Sequence, residues 1–275
     1  MGSIRDDTSF RPRPLTSTAD TSVTTGTAVV TGGASGLGRA LVSHLRSTGW
    51  KVAILDVNAE TGTASAHDTG SRFYRHDVTS AEDWERAMRE IATTIGPVNK
   101  VFLNAGIMSR PPAAPINDDI FDWMMKGSYD RVMRVNVDGA LLGLQSAIPV
   151  LTANGGGSVT VTSSAAGLTG LPFDPFYSMS KHAVVGMIRS FAPVLKKRGI
   201  RLNAFCPGAM NTAIVPKDVV AAGYAMLEPD EAAQSCVEVS DMASTGGVWI
   251  RGPGVPLWEY RTPAVEVGSH RIKEK

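Results

Sequence analysis

From residue 27 onward, short runs of β-branched residues alternate with segments of helix length, and this alternation restricts the fold more than any other feature of the chain. The runs are TAVVT (27–31), KVAILD (51–56), SRFYRHD (71–77), NKVFLN (99–104), GSVTVTS (157–163), IRLNAFC (200–206) and a short VWI (248–250). Several are apolar at nearly every position, as strands covered on both faces must be. The expected fold class is therefore α/β: a single doubly wound parallel sheet of seven strands with helices on both faces. Helices are expected at 36–48, 59–66, 80–94, 128–152 and 175–198, with two shorter pieces between 212 and 243.

The helix at 175–198 carries the clearest boundaries. Asp174 is suited to cap its free amides, Pro175 fits the first helical position, and Gly199 supplies a left-handed stop. Pro193 removes one helical hydrogen bond and predicts a kink or a tightened last turn. No linker-like stretch interrupts residues 27–250, so one domain spanning 26–250 is expected, after an N-terminal arm at 1–25. The tail at 251–275 is rich in Pro and Gly and reads as irregular, although Trp258 and Tyr260 imply that it packs on something.

Glycine is abundant, at 28 of 275 residues, against a usual share of about 7%. Part of the excess lies in TGGASGLG (31–38), between the first strand and the first helix. In that position glycines let the backbone turn tightly and let a pyrophosphate approach a helix N-terminus. Gly32, Gly36 and Gly38 follow a G-x-x-x-G-x-G spacing, and Ser35 and Leu37 complete the loop. Asp56 ends the second strand 18 residues after Gly38, where a carboxylate accepts hydrogen bonds from ribose hydroxyls and repels a 2′-phosphate. NAD is thus expected rather than NADP, with Arg39 the one nearby cation that argues otherwise. Asp77 and Val78 at the end of the third strand suit an adenine edge, with a simple turn as the other reading of Asp77. Asn104, Ala105 and Gly106 offer a small, flat surface after the fourth strand.

Tyr177 and Lys181 are four residues apart on the expected helix, on one face and about 6 Å apart along its axis. A phenol with a pKa near 10 is a poor base at neutral pH, but a neighbouring ammonium and a positive nicotinamide ring both favour the phenolate. Upstream, Ser163 and Ser164 end the fifth strand at the carboxyl edge of the sheet, where ligands of such folds bind. Asn136 interrupts an apolar helix face, either as a water-holding relay to Lys181 or as a local irregularity.

Taken together, TGGASGLG, Asp56, Asp77-Val78, Asn104-Ala105-Gly106, Asn136, Ser164, Tyr177-Ser-Met-Ser-Lys181 and Pro207-Gly208 resemble the short-chain dehydrogenase/reductase family in its compact Tyr-Lys branch. The resemblance covers about residues 27–250. It implies a seven-stranded Rossmann sheet and a catalytic tetrad of Asn136, Ser164, Tyr177 and Lys181. It also implies that Lys181 bonds the nicotinamide ribose, and that Thr212 and the backbone after Pro207-Gly208 hold the nicotinamide amide. The 13-residue spacing to Tyr177 favours Ser164 over Ser163.

A lid is expected at 208–230, its Ile214, Val215, Val219, Val220, Tyr224, Met226 and Leu227 offering apolar contact. Leu168, Leu171, Phe173 and Phe176 are expected to approach the same cleft. The expected activity is reversible hydride transfer between NAD(H) and a hydrophobic secondary alcohol or its ketone, with Tyr177 as general acid and base. Two other readings share the fold: a non-enzymatic NAD-sensing or partner-binding protein, and a non-redox isomerase-type enzyme.

A net charge of +1 supplies no field for a nucleic acid backbone. No window approaches a membrane-spanning apolar run, and Cys206 and Cys236 form no C-x-x-C pair, so a cytoplasmic protein with reduced thiols is expected. The resemblance implies a homodimer or homotetramer through the helices at 128–152 and 175–198, with Gly139, Gly143, Ala183 and Gly186 permitting close packing.

Overall fold

The computed structural model describes residues 25–110, 119, 121–122, 127–215, 217–221, 223–262, 265–267 and 270–272. Nearly all of the expected N-terminal arm lies outside them.

The main sheet has the strand order β3-β2-β1-β4-β5-β6-β7-β8. Its strands are β1 (Thr27–Thr31), β2 (Lys51–Asp56), β3 (Arg72–Arg75), β4 (Val98–Leu103), β5 (Gly157–Thr162), β6 (Ile200–Pro207), β7 (Val248–Gly252) and β8 (Val255–Glu259). The first seven are parallel and β8 returns antiparallel to β7. The period of two along each strand divides the core in two. Ala28, Val30, Val52, Ile54 and Phe102 point into one layer, while Val29, Ala53, Leu55, Val101 and Leu103 point into the other. This is why the strands read as unbroken apolar runs.

The first layer is closed by α1 (Gly36–Ser47) and α8 (Pro229–Asp241), and α2 (Ala59–Thr69) packs beside β2 and β3. The second is closed by α3 (Ala81–Thr94), α5 (Gly139–Ala153) and α6 (Pro175–Lys196). A short α4 (Ser128–Met133) leads into α5 through a π-helical turn at Arg134–Asp138, and α7 (Lys217–Ala221) lies between β6 and α8. Among the described residues no helix is long and apolar enough to cross a membrane.

Most expected elements stand within a few residues of their places, and three points differ. The tail is not irregular. Val255–Glu259 adds an eighth strand, and Val265–Val267 and His270–Ile272 form a separate two-stranded antiparallel pair. Gly254, with φ of +67°, allows the tight reversal between β7 and β8. The helix expected at 128–152 contains the π turn, so Asn136 does mark an irregularity. α6 runs on through Pro193 to Lys196, and the chain leaves it through tightened bonds from the Arg198 amide to the Leu195 carbonyl and from the Gly199 amide to the Lys196 carbonyl, in line with the tightened turn expected of Pro193. Finally, Gly139 and Gly143 face inward. A Cβ on Gly139 would meet Val78 at 2.8 Å, and one on Gly143 would meet Leu103 at 2.5 Å and Trp84 at 2.7 Å, so these glycines seat the helix on the core and offer nothing to a second subunit.

The strand order reverses between β1 and β4. Chains leaving those two strands diverge to opposite faces and open a crevice at the carboxyl edge of the sheet.

Candidate active site

That crevice is a cleft of about 340 Å³. Its floor is built from the ends of β1, β2 and β4. Thr31 Oγ1 accepts hydrogen bonds from the amides of Asn104 (2.9 Å) and Ala105 (3.0 Å), and Asn104 Nδ2 donates to the Thr31 carbonyl (3.2 Å). Thr162 Oγ1 ties β5 to the same turn through Asn104 Oδ1 at 3.1 Å. Thr31 and Thr162 were not singled out in the sequence. A threonine at a strand end beside a glycine loop is the signal that could have pointed to them.

The glycine loop is shaped for close approach. Gly32 and Gly36 have φ of +66° and +49°. A Cβ on Gly38 would lie 2.0 Å from the Gly32 carbonyl oxygen and 2.9 Å from Asn104 Nδ2. Gly32, Ser35, Gly36 and Leu37 line the cleft, whereas Gly38 lies behind them and lets α1 sit against the loop. Asp56 faces this loop from β2. Its Oδ2 accepts from the Ala34 amide (3.1 Å) and its Oδ1 from the Asn58 amide (3.0 Å), which leaves lone pairs on both oxygens for a ligand. Arg39 is turned aside into an ion pair with Asp68 at 2.8 Å.

Asp77 and Val78 line the same end. Asp77 Oδ1 accepts from Thr79 N and Thr79 Oγ1, so Asp77 is a turn residue as well as a wall of the cleft. At the other end stand Ala105, Gly106, Pro207 and Thr212, and Gly208 sits just behind, its amide bonded to the Arg251 carbonyl. Thr212 Oγ1 is buried without a hydrogen-bond partner among the described residues.

The four residues of the expected tetrad come together, although they arrive from β5, the π turn and α6. Ser164 begins the turn after β5, its Oγ accepting from the Ala166 amide at 3.1 Å and lying close enough to the Tyr177 hydroxyl to favour its phenolate. Ser163 lines the cleft as well, whereas Ser164 does not, but the Ser163 hydroxyl is engaged in donating to the Lys181 carbonyl at 2.9 Å, so Ser164 is the serine whose hydroxyl acts on the phenol. Lys181 is buried, donates to the Thr162 carbonyl at 2.9 Å, and has its ammonium 5.5 Å from the Tyr177 ring centroid. Gly106 gives it passage, since a Cβ there would stand 3.2 Å from Lys181 Nζ.

Asn136 does not bond Lys181 directly. Its Oδ1 accepts from the Ile107 amide (2.8 Å), and its Nδ2 donates to the Ile107 carbonyl (2.9 Å) and to Ser180 Oγ (2.9 Å). The π turn brings this side chain inward, where it clamps the backbone of the β4 loop.

The electrostatics of the protein alone run opposite to the expected lowering of the phenol. Desolvation pushes Tyr177 up to about 12, against the hydrogen bond from Ser164, and the Asp174 charge adds to the rise. Tyr177 keeps part of its surface open to the cleft, yet the protein packed around it is as dense as the interior. Burial also holds Lys181 down to about 8, so it remains mostly charged at pH 7. A protonated phenol beside an ammonium is set to give a proton. It becomes a base only when further positive charge enters the cleft.

Several residues expected at the cleft lie elsewhere. Leu168 packs on the core, Phe176 is buried edge-on against Tyr129 with ring centroids 5.4 Å apart, and Leu171 and Phe173 do not line the cleft. Of the lid, Met210, Thr212, Ala213 and Ile214 line it, while Val220 and Tyr224 are exposed and Leu227 is buried in the layer of α1 and α8. The lid is pinned at its base. Leu227 N donates to the Ala209 carbonyl and Asn211 N to the Leu227 carbonyl.

Comparison with known proteins gives a consistent answer. The family model for short chain dehydrogenases matches residues 26–220. Short-chain dehydrogenase reductase 3a of Arabidopsis thaliana is 36% identical over 195 residues, covering 70% of this chain and 73% of that protein. A 2,5-dichloro-2,5-cyclohexadiene-1,4-diol dehydrogenase of Sphingobium indicum is 35% identical, covering 70% and 75%. The mitochondrial borneol dehydrogenase of Lavandula x intermedia is 34% identical, covering 70% and 71%. Among solved structures, a short-chain type dehydrogenase/reductase from Mycobacterium marinum superposes with a TM-score of 0.73 at 23% identity, over 83% of this chain and 94% of that one. The ordered motifs, the strand order and the match over 26–220 agree: this chain belongs to the short-chain dehydrogenase/reductase family.

Proposed function

We propose that the protein is an NAD(H)-dependent oxidoreductase that interconverts a hydrophobic, alicyclic secondary alcohol and its ketone, with Tyr177 as general acid and base. The observation that carries this reading is Tyr177 with the ammonium of buried Lys181 5.5 Å from its ring and Ser164 close to its hydroxyl, in a cleft that begins in the glycine loop.

The residues present fit a nicotinamide dinucleotide. Positive φ at Gly32 and Gly36 and the contact closed to any Cβ at Gly38 form a cradle that leaves backbone amides of the helix start free for a pyrophosphate. The spare lone pairs of Asp56 suit the adenosine ribose, and Arg39, the cation of the helix after the glycine loop, is already paired with Asp68. Asp77 and Val78 would meet the adenine, Asn104, Ala105 and Gly106 the adenosine side, and the orphaned Thr212 hydroxyl the carboxamide, beside Pro207 and Gly208.

When bound, the nicotinamide supplies hydride acceptance or donation. The chain's own residues do the rest. Ser164 and Tyr177 bind the substrate oxygen, and Tyr177 gives its proton to a ketone or takes one from an alcohol. Lys181 stands beside the phenol, where its charge would stabilise the phenolate, and its remaining N–H donors would hold the cofactor ribose. Asn136 holds the Ile107 wall. An apolar substrate is supported by Ile107, Val135, Met210, Ala213 and Ile214, and the cyclic substrates named for the Sphingobium and Lavandula relatives favour a ring-shaped one.

The two buried free thiols and the absence of a membrane-crossing helix among the described residues support a cytoplasmic location. Assembly through α6 is supported by exposed Met179, Phe191 and Val194 on that helix, and by Gly186, whose Cβ position is open.

The test follows NADH absorbance over a panel of cyclic secondary alcohols and ketones. Turnover is expected with NAD and lost at least ~10³-fold in Tyr177→Phe, with NADH binding retained. Tight NADH binding with no turnover on any member of the panel would favour a sensing or non-redox role.

A further inference from the structure

Asp174 is the most enclosed carboxylate beside the cleft, at 0% exposure. Three donors converge on it. Its Oδ1 accepts from the Ser109 hydroxyl at 2.6 Å and from the Tyr177 amide at 3.0 Å, and its Oδ2 accepts from the Ser109 amide at 2.8 Å. Capping a helix takes one oxygen and one amide, as Asn58 shows for α2 and Ser80 for α3. Asp174 does that for α6 and uses its remaining capacity on a residue 65 positions earlier in the chain, in the loop after β4.

That loop carries the cleft wall. Ile107 lines the cleft and is gripped by Asn136 at both its amide and its carbonyl. Two residues on, the Ser109 carbonyl accepts from Arg131 at 3.2 Å, and Arg110 donates to the Phe173 carbonyl at 3.1 Å. The loop is thus fastened to α4 and the π turn on one side and, through Asp174, to the first turn of α6 on the other. Tyr177 stands on that first turn. A buried anion is costly unless its lone pairs are filled, and a serine or threonine would cap the helix more cheaply but is too short to reach Ser109 as well. The carboxylate is worth burying because it joins two segments.

We propose that Asp174 is a positioning residue: by tying Ser109 to the amide of Tyr177 it fixes the phenol against the Ile107 wall, so that the substrate oxygen and the proton donor are held in one geometry. This rests on the proposed role of Tyr177. It has a consequence that a simple cap lacks. Asp174→Ser keeps an acceptor for the Tyr177 amide and loses the tie to Ser109, so α6 should stay folded while the wall and the phenol drift apart. Displacements on the order of 1 Å cost about 10²-fold in rate.

The experiment uses the full chain with NAD and an alcohol turned over by the wild type. Asp174→Ser is expected to lower kcat at least ~10-fold while NADH affinity stays within about 2-fold, and Asp174→Asn, which keeps the size and one carbonyl oxygen, should recover part of the loss. Hydrogen exchange, which needs no turnover, should quicken at residues 107–110 in Asp174→Ser. A kcat per folded molecule within about 2-fold of wild type overturns the proposal, and so does unchanged exchange at 107–110. If the wild type turns over nothing in the panel, the proposed activity fails, and the exchange result still decides whether Asp174 holds the loop.

Discussion

Lowering the pH from 7 to 5 should cost this protein about 2 kcal/mol of stability through His76 alone. The imidazole is 1% exposed and packs edge-on against Trp84, with ring centroids 4.4 Å apart. Neither ring nitrogen has a hydrogen bond of normal geometry among the described residues. Burial therefore penalises the charged ring and brings its pKa from 6.5 down to about 4. Arg86 acts in the same direction, and Asp83 and Asp77 oppose it without prevailing. The sign follows from linkage. Above pH 6.5 the ring is neutral in both states and contributes no difference. Below it the unfolded chain takes up a proton that the folded chain refuses, so stability falls until the folded ring itself titrates near pH 4, where the loss has reached about 3 kcal/mol. His76→Leu removes the titration and keeps the volume and apolar contact. Urea unfolding of both proteins at pH 7 and pH 5 isolates the effect, because carboxylates common to the two cancel in the difference. The gap between variant and wild type should move by about 2 kcal/mol in favour of the variant as the pH falls. A gap constant within about 0.5 kcal/mol would refute the reasoning and mean that the ring finds a proton acceptor when charged.

Two further outcomes follow from the cofactor cradle. Gly38→Ala gains about 1 kcal/mol of helix propensity but drives a methyl into the Gly32 carbonyl, 2.0 Å from the ideal Cβ. NADH fluorescence titration should show affinity reduced at least ~10-fold, and an affinity equal to wild type would mean that the loop yields at no cost. Asp56→Ala combined with Asp68→Ala removes the carboxylate that repels a 2′-phosphate and frees Arg39 from its ion pair. The ratio of kcat/KM for NAD over NADP should fall at least ~10-fold, and an unchanged ratio would place cofactor choice elsewhere.

The body of this molecule was legible in its sequence and the tail was not. The α/β class, the seven parallel strands and most helix positions could be read because strands buried on both faces must be apolar throughout, and because Asp174, Pro175 and Gly199 act on their immediate neighbours. The residues of the proposed site were legible for the same reason, as Gly32, Gly36, Tyr177 and Lys181 lie in local patterns whose spacing sets their geometry. The tail was misread because Pro and Gly content describes local stiffness and says nothing of the open edge of β7, which offers backbone partners to whatever chain returns to it.

What the sequence by itself determined is the order of elements and the local chemistry at their ends. What only the tertiary structure decided is which of those ends meet. The bond from Ser109 to Asp174 spans 65 residues and the bonds from Asn104 to Thr31 span 73. Neither pairing leaves a periodic trace, because each arises from two segments that the sheet order places side by side. The acidity of the site was decided in the same way: the spacing of Tyr177 and Lys181 suggests a lowered phenol, whereas the protein packed around both pushes Tyr177 up and Lys181 down. Desolvation depends on everything nearby in space, and four residues of sequence carry little of it.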